Sequence, residues 1–161
     1  MKIKGASIAD IPLIRELTYK VWPQTYSAIL SKEQIDYMLG MMYSEASLQE
    51  QMEKGHTFIL VYDAEEPVGF ASFSQTAPGI YKLHKIYVLP SQQGKGTGRY
   101  IIDELIKWIK PAGATALQLN VNRHNKAKLF YEKFGFAVIQ EEDIDIGNGY
   151  LMNDYVMEKK L

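Results

Sequence analysis

Ile86-Tyr87-Val88-Leu89-Pro90-Ser91-Gln92-Gln93-Gly94-Lys95-Gly96-Thr97-Gly98-Arg99 joins a β-prone apolar run to a helix, with glycine at alternate places in the loop between them. The run closes a strand expected over Ile80 to Leu89, which Pro90 cannot continue as a central strand. After the loop, Ile101, Ile102, Leu105, Ile106 and Ile109 recur at helical spacing, which predicts a helix from Thr97 to Lys110, stopped by Pro111 and Gly113. Gly94, Gly96 and Gly98 leave the backbone free to take positive φ and let a ligand approach without meeting a Cβ. At the start of a helix such amides form an anion site; the helix dipole adds its positive end, and Lys95 and Arg99 add charge. A strand-to-helix turn that is merely rich in glycine is the alternative. Spacing excludes two other phosphate loops. Gly94-Lys95 is followed by Gly96 where a P-loop needs Ser or Thr, and Leu89 stands where it needs its first glycine. Arg99 and Ile101 stand where a dinucleotide fingerprint needs its third glycine.

Working towards the N-terminus, Thr57 to Tyr62 and Val68 to Ser74 are β-prone runs around a turn at Asp63 to Pro67, so with Ile80–Leu89 they make an antiparallel meander. Before them, a short strand near Lys2 to Ser7 precedes a helix capped by Asp10, with Ile11, Ile14, Leu17, Val21 and Trp22 on its apolar face and Pro23 ending it. Ser31-Lys32-Glu33-Gln34 reads as a capping box opening a second helix, with Ile35, Met38, Leu39 and Met42 on one side. Ser44 caps a short third helix that finishes at Gly55. Working towards the C-terminus, Ala116 to Val121 is a strand, and a helix runs from Asn125 to Phe134 with Gly135 as its C-cap. Phe136 to Gln140 and Tyr150 to Glu158 complete the sheet, joined by a loop containing Gly147-Asn148-Gly149. The fold class is mixed α/β (α+β): a mostly antiparallel twisted sheet of about seven strands flanked by helices, in one domain over residues 1–161.

Composition narrows the function. With 161 residues and 47% hydrophobic composition the chain can bury its own core. It has no cysteine, which removes disulfides, thiolate catalysis and Cys-based zinc sites, and no metal is expected. A net charge of -1, from 18 basic and 19 acidic residues, gives no field for nonspecific nucleic-acid binding. No apolar run approaches the ~20 residues of a membrane helix, and the N-terminus lacks a signal-peptide core. A cytoplasmic protein with no nucleic-acid or membrane partner is therefore expected.

Gln93, Gly96 and Gly98 stand in the defining places of the Gln/Arg-x-x-Gly-x-Gly/Ala motif, and the chain thereby resembles the GCN5-related N-acetyltransferases (GNAT). Ile86 to Pro90 looks like that family's strand-and-proline lead-in. Asn125-Lys126-Ala127 through Phe130-Tyr131-Glu132-Lys133-Phe134-Gly135-Phe136 resembles its second signature at the expected separation. The sharp motifs cover residues 83 to 136, and the order of elements is similar throughout.

The resemblance implies an acetyl-CoA-dependent N-acetyltransferase acting directly on a primary amine, with no metal. Acetyl-CoA would be held by Ile86 and Val88, by Gln93, Gly94, Lys95, Gly96, Thr97, Gly98 and Arg99, and by Asn120, Asn125 and Tyr131. Its pantetheine arm would pair with backbone at a splay between the Ile80–Leu89 and Ala116–Val121 strands, the Val88 N–H acting as oxyanion donor. Asn125 is also explained as an N-cap, and both roles can coexist. On pattern alone Tyr131 reads as a core tyrosine beside Phe130 and Phe134; the resemblance implies instead the family tyrosine that protonates the leaving thiolate. Some relatives carry a glutamate base where this chain has Asn120, which cannot take a proton. His84 is then the nearest titratable candidate, with ordered water as its competitor. Trp22, Tyr26 and Tyr150, with Tyr37 and Tyr155, could line an acceptor pocket or simply pack. Glu141-Glu142-Asp143 and Asp145 could attract a cationic acceptor or form a solvated hairpin end. The acceptor is expected to be a small amine, a polyamine or a peptide amine, and a homodimer is possible. The readings from other classes are a non-catalytic acyl-CoA-sensing module and a binder of another phosphate-bearing ligand.

Overall fold

The computed structural model describes residues 1–161. Seven strands form one sheet, β1 (Lys2–Gly5), β2 (Thr57–Asp63), β3 (Glu66–Ala77), β4 (Ile80–Val88), β5 (Ala116–Asn122), β6 (Ala137–Gly147) and β7 (Tyr150–Lys160), in the order β1-β2-β3-β4-β5-β7-β6. Every neighbouring pair is antiparallel except β4 and β5. Helices α1 (Ile11–Tyr26), α2 (Lys32–Tyr43) and α3 (Glu45–Glu53) cover one face, and α4 (Thr97–Ile109) and α5 (Ala127–Lys133) the other. Both faces are therefore apolar. Phe58 and Leu60 of β2 pack with Ile14, Leu17 and Trp22 of α1, while Ile59 and Val61 pack with Ile101, Ile102 and Leu105 of α4. That two-sided burial is why β2 reads as an unbroken apolar run. No helix is long and apolar enough to cross a membrane.

Local chemistry sets most helix starts as expected: Ser31 Oγ accepts from Gln34 N at 3.1 Å, and Ser44 Oγ from Ser47 N at 3.1 Å. Two expectations at α1 are corrected. Ser7, not Asp10, opens the helical segment, through a 3₁₀ turn at Ile8–Asp10; the Asp10 carboxylate accepts from the Ser7 N–H at 2.8 Å. Pro23 lies inside α1, which continues to Tyr26. The carbonyl that loses its partner belongs to Tyr19, on the exposed side of the helix, where solvent can replace the bond. The last hairpin is also longer than the sequence pattern suggested. Glu141 to Asp145 continue β6 in register with β7, and Arg123 pairs with Glu141 at 3.5 Å and with Asp143. Asn148 (φ 55) and Gly149 (φ 78) close it with positive φ at both turn positions, the type I′ signature.

A bulge and a glycine contact set the course of β4. Ser72 pairs with Lys85 while Phe73 pairs with Leu83, so His84 is an extra residue in a bulge that shifts the strand's phase. Leu83 packs beneath α4; past the bulge, Ile86 and Val88 take that side, while Lys85 and Tyr87 turn towards α1 and α2. Gly69 of β3 lies opposite Val88, where a Cβ would stand 2.6 Å from the Tyr87 carbonyl oxygen and 3.3 Å from the Val88 Cα. Backbone must then move. Gly69→Ala is expected to destabilise the fold by about 1–3 kcal/mol and to raise the KM for the ligand of the adjoining cleft, checked by urea unfolding and saturation kinetics.

Candidate active site

The parallel ladder between β4 and β5 runs only from Ile80–Ala116 to Leu83–Leu119, although both strands continue. Beyond it the strands splay. The Leu89 N–H donates to Val68 O at 2.8 Å, which fixes the phase of the β3–β4 ladder. Antiparallel strands point alternate residues' N–H and C=O to opposite edges, so those of Ile86 and Val88 face the splay. A half-buried edge with no strand partner is a site for an extended ligand.

At the end of that edge the loop bends into α4. Gly94 (φ 81) and Gly96 (φ 76) take left-handed conformations, with Gly96 as the N-cap. The Lys95 N–H is used by Gln92 O at 3.2 Å, and Tyr100 N bonds Gly96 O at 3.0 Å, while those of Gly94, Gly96, Thr97, Gly98 and Arg99 have no backbone acceptor. These amides sit at the positive end of α4, an arrangement suited to a diphosphate. Gly98 lies against Phe130 of α5, where an added Cβ would sit at ordinary contact distance, 3.6 Å.

Splay and loop open into one cleft of ≈ 1190 Å³. Its lining includes Ile86, Val88, Gln93, Gly94, Gly96, Thr97, Gly98, Arg99, Asn120, Asn125, Tyr131 and His84, which the structure thus brings together; Lys95 is outside the lining. A second cavity of ≈ 100 Å³ lies on the α1–α2 side and reaches Trp22, Lys85 and Asp154. Tyr26, His84, Tyr87 and Asn120 border both spaces, so the two meet there. Tyr150 instead packs on the Tyr37 ring, 5.3 Å between centroids, and lines neither cavity. Tyr155 carries Lys128 Nζ 5.1 Å from its ring centroid and is likewise outside both.

Burial sets the chemistry. Tyr131 is 8% exposed, with its ring against Phe130 and Phe136, and burial holds its phenol well above the usual range. Tyr26 and Tyr87 share a hydroxyl contact of 3.1 Å and are raised by the same cause. All three keep their protons at neutral pH. Asp154 is 3% exposed; burial raises its carboxyl, partly offset by the Asn120 amide, which donates to Asp154 Oδ2 at 3.3 Å. The Asn120 Oδ1 and Trp22 Nε1 atoms are buried without partners, two groups a bound molecule could satisfy. Asn125 Oδ1 accepts from Ala127 N at 2.9 Å, the capping role, while the residue also lines the cleft.

His84 is held differently. Its Nε2 contacts Ser74 Oγ at 2.6 Å and its ring stacks on His56 at 4.0 Å. Burial, then His56, Lys82 and Lys85, push its pKa down to about 3. The unfolded chain takes this proton below about pH 6.5, so stability falls as pH drops from 6.5 towards 3. The slope is about 1 kcal/mol per pH unit after allowing for solvent screening at a partly open site. Urea unfolding at pH 4 and pH 7 is expected to show that loss, and His84→Asn to reduce it.

Sequence reading missed Tyr87, Lys85 and Asp154. For Asp154 a signal existed: it shares a strand face with Met152 and buried Val156, so a carboxylate occupies an inward position. Lys85 and Tyr87 gave none, because their direction depends on the bulge.

A family model for the acetyltransferase (GNAT) domain matches residues 27–159. A spermidine N(1)-acetyltransferase of Thermoplasma acidophilum is 28% identical over 166 residues, covering 99% of this chain and 97% of the relative. A [ribosomal protein bS18]-alanine N-acetyltransferase of Haemophilus influenzae is 30% identical over 108 residues, 67% of this chain and 70% of its own length. Among solved structures, the Thermoplasma acidophilum PaiA N-acetyltransferase in complex with coenzyme A superposes with a TM-score of 0.82 at 28% identity, covering 100% of both chains.

Proposed function

Since the chain belongs to the GNAT acetyltransferase family, we propose that its two cavities divide the reaction: acetyl-CoA in the splayed cleft and the amine in the smaller pocket. The protein is an acetyl-CoA-dependent N-acetyltransferase that moves an acetyl group to a primary amine. The observation that carries the assignment of the cleft is the end of β4–β5 pairing at Leu83–Leu119 beside the unpartnered amides at the start of α4. The amides of Gly94, Gly96, Thr97, Gly98 and Arg99 would take the diphosphate, and Ile86 and Val88 the pantetheine arm. The thioester then lies where the cavities meet.

In this reading Asp154, oriented by Asn120, pairs with the incoming ammonium and receives its proton. Free alkyl amines hold that proton up to about pH 10.4, so a carboxylate raised by burial is a useful acceptor. The neutral nitrogen attacks the thioester carbon while the Val88 N–H stabilises the carbonyl oxygen as negative charge develops. Collapse breaks the C–S bond, and Tyr131 gives its proton to the thiolate. We assign the proton-accepting role to Asp154 over His84 because an imidazole held near 3 binds a proton too weakly, and because Ser74 occupies its Nε2. The acceptor class is a small primary amine or a peptide amine; the relatives named above act on spermidine and on a ribosomal protein's alanine. Release of CoA thiol across a panel of polyamines, amino acids and alanyl peptides tests the reading. Turnover of at least one amine, slowed by Asp154→Asn, is expected; tight acetyl-CoA binding with no turnover of any amine would favour a sensing module.

A further inference from the structure

We infer that the amine this enzyme accepts also carries an anionic group, a carboxylate or its equivalent, received by Lys85 in the pocket that Asp154 shares. This rests on the reading that the amine docks in that pocket. Lys85 follows the bulged residue His84 and is turned towards α1 and α2. Its Nζ stands 5.1 Å from the centroid of the Tyr43 ring. Neither Lys85 nor Asp154 takes part in any ion pair of the protein. Lys85 lines only the smaller cavity, so the phosphates of a cofactor in the cleft are not its partner.

An enclosed ammonium without an anion is costly, and the enclosure lowers Lys85 to about 8. The aromatic face of Tyr43 relieves that only in part. A ligand carboxylate would supply the missing charge and restore the ordinary ammonium. The ≈ 100 Å³ space thus offers one unpaired carboxylate, at Asp154, and one unpaired ammonium, at Lys85. A zwitterion of matching span satisfies both. The second ammonium of a polyamine would meet Lys85 and be repelled, so selection against such amines comes from the same residue. This separates the chain from the spermidine acetyltransferase it is similar to.

The test measures CoA release with amino acids of increasing amine-to-carboxylate separation, each beside its own amide, together with spermidine. At least one acid is expected to exceed its amide in kcat/KM by about tenfold or more, the difference lying in KM, and to exceed spermidine. Lys85→Met should bring that ratio towards unity and Lys85→Arg restore part of it. Equal use of acids and amides by the unaltered enzyme, or preference for spermidine, overturns the inference without requiring any variant. The premise fails separately: if Asp154→Asn leaves every amine's turnover unchanged, the amine does not dock in this pocket.

Discussion

Tyr131→Phe is expected to lower kcat about a hundredfold or more and to leave the KM for acetyl-CoA nearly unchanged, in steady-state assays of thiol release. The phenol lines the cleft, and burial holds its proton well past neutral pH. The donor role proposed for it would be exercised only as the C–S bond breaks, so its loss should appear in kcat and not in ground-state binding. The ring lies against Phe130 and Phe136 with centroids 5.3 and 5.8 Å away, packing that phenylalanine preserves. Thermal stability should therefore stay the same. An unchanged kcat would remove Tyr131 from the chemistry and return it to the core.

Asp154→Asn is expected to cut kcat/KM about a hundredfold without destabilising the protein. Asparagine keeps the volume and can still bond Asn120, but it can neither pair with an ammonium nor accept its proton. The stability sign is opposite to that of a salt-bridged carboxylate. Because the folded protein raises this carboxyl, its ionised form opposes folding at neutral pH, and removing the charge holds or raises Tm. Activity lost with Tm held or raised identifies a group kept for function; activity and Tm falling together would mark a structural residue. Activity should also decline on the acid side as Asp154 takes up a proton.

Local patterns carried the meander, the glycine loop and α4, because each rests on near neighbours: the β-prone apolar runs of β2 and β3, the helical spacing of Ile101 to Ile109, and the positive φ of Gly94 and Gly96. The cleft proposed for the cofactor was legible for the same reason, since its backbone donors lie in one continuous stretch. Pro23 misled because α1 is held by tertiary packing of Val21 and Trp22, which outweighs one missing helical bond. Glu141 to Asp145 misled because register with β7 and the pairing of Arg123 override their low strand preference. The smaller cavity, proposed for the amine, was the least legible part. It is assembled from α1, α2, β4, β5 and β7, and Lys85 reaches it only because a bulge at His84 reverses the strand's phase. No spacing in the sequence announces that reversal.

The most direct measurement is a crystal structure of the protein with coenzyme A. It should place the diphosphate oxygens about 2.7–3.2 Å from the N–H groups of Gly94, Gly96, Thr97, Gly98 and Arg99, the pantetheine arm along Ile86 and Val88, and the sulfur beside Tyr131. A diphosphate bound away from the start of α4, or an arm lying outside the β4–β5 splay, would contradict this arrangement.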